Sequence, residues 1–234
     1  MEYYEGLLKK YLTRLLVDFE DGSLWVVNKI IVEHQVESYG LPEAVAVASC
    51  IKYSKPEKGK EGILKVRMRL PWTEKPQFCD TGAPEEMSYL ARQEILSLDA
   101  LTKAGCSSTP KYLQSIRTLQ TNDMCLPGGS LVFILMEKLP GVALEYFTYW
   151  QYEPETRNRI RGAFKEAWIE MRKCGFTNYD YGLHNLLWDE KNSKCYIVDL
   201  EECGTFRESE ATPVWKDCYW GIWGLERSGN SSTR

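Results

Sequence analysis

A polar stretch running from Asn178 into two short apolar segments constrains this chain more than any other feature. It reads Asn178-Tyr179-Asp180-Tyr181-Gly182-Leu183-His184-Asn185 and leads directly into Leu186-Leu187-Trp188. A second apolar run, Tyr196-Ile197-Val198, ends on Asp199 and is followed by Leu200-Glu201. Two short strands around the polar turn Asp189 to Lys194 predict a hairpin, and a hairpin brings the residues at its open end together. Asn185 and Asp199 stand at that end, fourteen residues apart, with Asp180 five residues before Asn185. An Asp, an Asn and a second Asp converging there offer oxygen ligands to Mg2+, which favours one or two carboxylates shared with substrate phosphates. The remaining Asp is placed to orient an attacking hydroxyl and take its proton. Asp and Asn also favour ordinary turns. It is their combined spacing in an apolar setting that points to chemistry.

The rest of the chain divides into a strand-rich part and a helical part. Residues 2–16 carry Tyr4, Leu7, Leu8, Tyr11, Leu15 and Leu16 at helical spacing and predict an amphipathic helix. Val26 to Val36, Ala44 to Tyr53 and Gly62 to Leu70 predict three strands, the first two joined by a turn at Ser38 to Pro42. In the third, Ile63, Lys65 and Arg67 share one face and Leu64, Val66 and Met68 the other. After a loop from Pro71 to Gly82, Pro84 fits the first turn of a helix running to about Thr102, with Gly105 beyond it. Leu90, Glu94 and Leu98 share one face of that helix, so Glu94 is a carboxylate inside an apolar stripe and needs a partner. Pro110 to Leu119 and Ser130 to Met136 predict two more strands. Near 137–142 the pattern changes, and Pro154 opens a helix with Ile160, Ala163, Phe164, Ala167, Trp168 and Met171 at helical spacing, stopped by Gly175. Trp215, Tyr219, Trp220 and Trp223 predict a short closing helix.

On these residues the chain, over about 25–205, resembles the protein-kinase-like fold. It is most similar to the compact branch that holds aminoglycoside phosphotransferases and divergent kinase-like proteins of filamentous fungi. The resemblance implies an α+β, two-lobed protein-kinase-like fold with a reduced C-terminal lobe. Its parts would be an N-terminal helix extension (1–24), an N-lobe of antiparallel sheet plus one principal helix (25–138), and a reduced C-lobe with the catalytic loop and metal motif (139–234). It implies that Asp180 is the catalytic residue and that Asn185 and Asp199 are metal ligands. It further implies that Lys65 contacts nucleotide phosphates while Glu94 fixes it, with Lys52 on the preceding strand as the rival lysine. Leu135 to Gly141 resembles the segment that meets adenine, where Glu137 would offer its carbonyl and Leu139 its amide. The activity so implied is transfer of a phosphoryl group from ATP, with Mg2+, to a hydroxyl of an unspecified small molecule, the nucleotide lying between the lobes.

The chain also departs from the family pattern. No G-x-G-x-x-G precedes Lys65, and the turn at Ser38 to Pro42 holds a single glycine, so fewer backbone amides approach a phosphate there. Asn178 replaces the histidine of H-x-D, and Asp199-Leu200-Glu201 lacks the glycine of D-F-G. Gly182 stands where protein kinases carry a lysine, as in the small-molecule kinases. Thirty-five residues follow Asp199, too few for a peptide-docking lobe. These departures define the alternative, a pseudokinase that keeps the fold as a binding or regulatory module and acts through a protein partner.

Composition narrows the remaining classes. Apolar residues make up 44 % and charged residues 26 % of 234, as in a globular protein. A formal net charge of −4 gives no basic surplus for nucleic acid. No apolar run nears the ~20 residues of a membrane span, and Met1 to Glu5 lacks the pattern of a secretory signal. Eight cysteines without a C-x-x-C pair, beside two histidines, predict reduced thiols in a cytoplasmic protein and no zinc site.

Overall fold

The computed structural model describes residues 6–38, 41–71, 84–205 and 214–227. The protein is a mixed α+β chain that divides into two compact units. The first holds residues 1–95 and 112–138, the second residues 96–111 and 139–234. One boundary falls between Lys138 and Leu139, within the stretch where the sequence pattern changes.

The first unit is built on a six-stranded antiparallel sheet. Its strands are β1 (Leu16–Asp18), β2 (Leu24–Ser38), β3 (Leu41–Lys52), β4 (Glu61–Arg69), β5 (Tyr112–Leu119) and β6 (Ser130–Glu137). They lie in the order β1-β2-β3-β4-β6-β5. Register shifts between Val27 and Lys29 and between Ile30 and Val32 interrupt the β2–β3 ladder, and such bulges bend a strand and increase its twist. Alternation sorts the side chains. Leu64, Val66 and Met68 of β4 join Ala44, Ala46 and Ala48 of β3 and Leu131, Phe133 and Leu135 of β6 in one apolar core. Each large apolar side chain buried this way contributes about 1.5–3 kcal/mol. Lys65, Arg67 and Arg69 occupy the opposite face of β4 and are nonetheless buried.

Residues 2–5 of the helix expected over 2–16 lie outside the described residues, and its C-terminal part ends early. Helix α1 spans Leu7–Leu12, and the chain then turns through Arg14, in the left-handed region at φ 59°, into β1. Leu16↔Val26 and Asp18↔Leu24 pair across β1 and β2. Leu15 and Leu16 fit the helical pattern, but Leu16 pairs with β2 and the Leu15 carbonyl accepts from the Val27 amide of that strand. The Glu33 carboxylate accepts from the amides of Leu8 and Lys9 at 2.7 and 3.1 Å, meeting orphan donors at the helix start. Leu8, Leu12, Val17 and Phe19 belong to the same core as the strands.

Helix α2 (Tyr89–Lys103) begins later than Pro84, where the sequence places its first turn. Pro84 and Glu85 lie in a separate turn, and the Pro84 carbonyl accepts from the Ser130 amide. Ser88 caps α2 instead, its Oγ accepting from the Ala91 amide at 3.2 Å. Tyr39 and Gly40, at the centre of the turn expected between the first two long strands, lie outside the described residues. So do residues 72–82 of the expected loop.

In the second unit, β7 (Val142–Ala143) leads into α3 (Tyr146–Gln151) and α4 (Pro154–Lys173). Ile160, Ala163, Phe164, Ala167, Trp168 and Met171 form the buried face of α4, and Gly175 follows it at φ 87°. After α4 come β8 (Phe176–Asn178), β9 (Leu186–Asp189), β10 (Lys194–Ile197), β11 (Cys203–Thr205) and α5 (Cys218–Ile222). Strands β10, β9 and β7 form one small sheet, and β11 pairs with β8. Gly141 lets the chain enter β7. Its φ is 108°, and a Cβ there would lie 2.5 Å from the Trp188 carbonyl oxygen. The connection between α2 and β5 is anchored from α4, where Glu170 accepts from the Ser107 amide and from the hydroxyls of Ser107 and Ser108. No helix among the described residues is long and apolar enough to cross a membrane.

Candidate functional site

In the second unit, β9 and β10 pair from Asp189↔Lys194 to Leu186↔Ile197. The Asp189 carboxylate closes the turn by accepting from the Asn192 amide and side chain. At the open end the Val198 amide donates to the Asn185 carbonyl at 2.9 Å, so the ladder reaches the residue before Asp199. Strand β11 then returns to β8, with Cys203 opposite Asn178. Asp199 therefore sits in a tight connection, in the left-handed region at φ 57°. A non-glycine residue held there carries a local conformational cost, and such residues cluster at functional sites.

Three side chains organise this end. Asn178 is buried and bridges two segments, its Nδ2 donating to the Asp199 carbonyl at 2.9 Å while its Oδ1 accepts from the Asp180 amide at 2.9 Å. Asn185, also buried, donates from Nδ2 to the Asp180 carbonyl at 3.0 Å and to Asp180 Oδ2 at 2.7 Å. His184 Nε2 lies 3.4 Å from the same Oδ2. Both side-chain contacts to the Asp180 carboxylate thus fall on Oδ2, and among the described residues none falls on Oδ1. Oδ1 is the oxygen open to an incoming proton. Asn185 directs its amide nitrogen at Asp180, which leaves its Oδ1 as the atom that could hold a metal. Gly182 makes room for His184, since a Cβ there would lie 2.3 Å from the imidazole Cε1.

The same corner is strongly acidic. Burial pushes the Glu202 carboxyl up from its ordinary value, and the charges of Asp180, Glu201 and Asp199 push it further. A local field that disfavours another negative charge favours a cation. Asn185 Oδ1 and the neighbouring carboxylates are hard oxygen donors, the set that suits Mg2+ rather than zinc.

The first unit holds the other expected residues. Lys65 Nζ on β4 lies 2.9 Å from Glu94 Oε2 on α2, with the two side chains 4 % and 2 % exposed. The ammonium meets that oxygen off the hydrogen-bond line, so this is a charge contact rather than an aligned hydrogen bond. Two residues along, Arg67 donates to Glu43 Oε2 through Nε at 3.0 Å and Nη2 at 2.7 Å. Lys52, the rival lysine, is paired with Glu57 at 3.3 Å in the β3–β4 connection. Glu137 ends β6 opposite Gly62, and Leu139 follows outside any strand and half-buried.

Sequence reasoning passed over two contributors. Asn178 stands where the family pattern has a histidine, and an Asn two residues before Asp180 is also the usual signal for a side chain that caps a turn. The Arg67–Glu43 pair left no periodic signal, because charged residues on a strand face are read as solvated unless their partners are known.

The chain matches no protein-family model and no curated protein. The chemistry of these two residue sets is therefore the ground for assigning a function.

Proposed function

We propose that the protein is a compact, two-lobed phosphotransferase of the protein-kinase-like fold, acting with ATP and Mg2+ on a hydroxyl of a small molecule. The observation that carries this reading is the asymmetric Asp180 carboxylate, held through Oδ2 by Asn185 and open at Oδ1. A carboxylate fixed in this way is oriented for general-base work on a hydroxyl. The acidic field around Asp199 and Glu202 supports a cation at the same corner. The buried Lys65–Glu94 pair supports a phosphate-binding ammonium locked in one rotamer.

Bound Mg-ATP supplies the transferable phosphoryl group and a counter-charge for it. Asn185 Oδ1 and Asp199 hold the metal. Asn185 Nδ2 and Asn178 keep Asp180 in place, and Asp180 Oδ1 takes the acceptor proton. Lys65 contacts phosphate oxygens, and Glu94 prevents the lysine from swinging away. Glu137 and Leu139 offer their backbone groups to the base. The setting is cytoplasmic, where the chain's thiols stay reduced.

Thermal melting with and without Mg-ATP, on the native chain and on Asp199→Ala, tests this reading. Ligand at about 100 times its Kd stabilises the fold by ~2.7 kcal/mol. A metal-dependent rise that disappears in Asp199→Ala is expected. No rise in the native protein would remove the nucleotide site and leave a scaffold that works through protein partners.

A further inference from the structure

A cavity of about 490 Å3 opens beside the Asp180 loop, entirely within the second unit. Its walls come from Leu144 and Tyr146 at the start of α3, from Tyr181 and His184 in the loop, and from Ile222 and Trp223 at the end of α5. The volume lies in the ordinary range for small-molecule sites. Trp223 is buried and forms a fixed surface, meeting the Tyr181 ring edge-on at 5.6 Å. Three of the other walls are large apolar side chains left exposed. Tyr146 is 57 %, Ile222 48 % and Tyr181 44 % exposed, and large apolar side chains gathered around a concavity mark a binding surface.

The lining also says what fits. Among the described residues no lysine or arginine lines the cavity and its one carboxylate is Glu145, so an anionic ligand finds no permanent counter-charge there. A polyol would lose its water against the tyrosine rings, Ile222 and Leu144 without enough polar partners in exchange. A planar aromatic ring stacks on such walls and is best paid by them. The wall nearest Asp180 is His184, whose Nε2 stands 3.4 Å from Asp180 Oδ2. A polar group on the ring edge facing His184 therefore points toward the carboxylate.

We propose that this cavity holds the phosphoryl acceptor and that the acceptor is a small planar phenol, an inference that rests on the phosphotransferase reading above. The chemistry favours a phenol over an aliphatic alcohol, because a phenolic hydroxyl ionises near pKa 10 (about the tyrosine value) and gives its proton to a carboxylate more readily. The phenolic O–H bond breaks and its proton passes to Asp180 Oδ1. The oxygen bonds to the γ-phosphorus of ATP as the bond from that phosphorus to its bridging oxygen breaks, with the electron pair leaving on ADP. Nothing is oxidised or reduced, and the products are an aryl phosphate and ADP.

The test uses 7-hydroxycoumarin as the probe on the full chain, read by fluorescence polarisation without nucleotide. Tyr146→Ala and Ile222→Ser remove exposed walls and leave the core alone, which unchanged melting temperatures of the variants verify. The expected result is saturable binding, weakened at least tenfold in each variant and not displaced by methyl α-glucoside. Absent binding, binding indifferent to both variants, or displacement by the glucoside overturns the proposal. Melting with Mg-ATP on the same samples separates the two readings. A nucleotide shift without probe binding overturns the phenol acceptor alone. Probe binding without a nucleotide shift overturns the phosphotransferase reading, and the acceptor role falls with it.

Discussion

Asn185 reaches Asp180 twice, through the backbone carbonyl at 3.0 Å and through carboxylate Oδ2 at 2.7 Å. One amide thus fixes both the path of the loop and the rotamer of its acid. In the proposed reaction the two residues divide the work unequally, with Asp180 taking the proton and Asn185 holding it still.

Asp180→Asn is expected to lower phosphoryl transfer from ATP by about 10²–10⁴, the usual contribution of a positioned base. Its carboxylate is partly exposed, so the melting temperature should barely move. Asn185→Ala removes buried hydrogen bonds as well as the oxygen proposed to hold the metal and should cost about 1–3 kcal/mol of stability. ADP release and urea unfolding, measured on both variants, separate these effects. Equal loss of stability in the two would contradict the division of roles.

The Lys65–Glu94 pair makes a different prediction. Removing one partner from a buried ion pair leaves an uncompensated charge, and Lys65→Met or Glu94→Leu alone should cost about 3–5 kcal/mol. The double variant should recover much of that loss, because both charges then leave together. Denaturant unfolding of the three variants checks it. If the double variant loses the sum of the single losses, the pair is not coupled.

Gly141→Ala should destabilise the protein by more than ~1 kcal/mol, because alanine resists a φ of 108° and its Cβ meets a backbone oxygen that cannot rotate aside. Gly162→Ala, on α4 with nothing within 4 Å of its new Cβ, is the control and should be neutral or stabilising. The difference in urea midpoint between the two variants is the measurement.

Alkaline pH should weaken the fold through its buried thiols. Burial pushes Cys50 and Cys195 up to about 12, against 9.0 for a free thiol. Above pH 9 the unfolded chain releases these protons while the folded chain keeps them. Stability therefore falls as pH rises from 9 toward 12 and is unaffected by these groups below 9. Cys195→Ala should flatten that fall in a melting series, after correction for its cavity at pH 7. A slope unchanged by Cys50→Ala and Cys195→Ala together would assign the effect to other groups.

Much of the architecture was legible because it follows from periodicity. The buried face of α4, from Ile160 to Met171, was readable at helical spacing, and the two faces of β4 alternate as the sequence implies. The hairpin was readable from two apolar runs around a polar turn. Boundaries were harder to read where two patterns fit the same residues. Leu15 and Leu16 satisfy a helix and a strand equally, and only pairing with β2 decides. The start of α2 was misplaced because proline and two glutamates form a strong local signal, while Ser88 carries the actual cap. Within the candidate site, the partner of Glu94 was suggested by its apolar surroundings. The bridge made by Asn178 was not, because it joins segments twenty-one residues apart that meet only once β11 returns to β8.

The hairpin has a consequence for how such a site is recognised. Pairing from Asp189↔Lys194 to Leu186↔Ile197 insulates Asn185 and Asp199 from the far tip. Residues added at 190–193 would lengthen the chain between the two without displacing either. A slip of one residue in the ladder would instead turn every side chain to the other side. Distance along the chain is thus a poor ruler for this pair of residues, and strand register a good one. A cousin whose tip had grown would look unrelated by spacing and yet hold its oxygens in the same place.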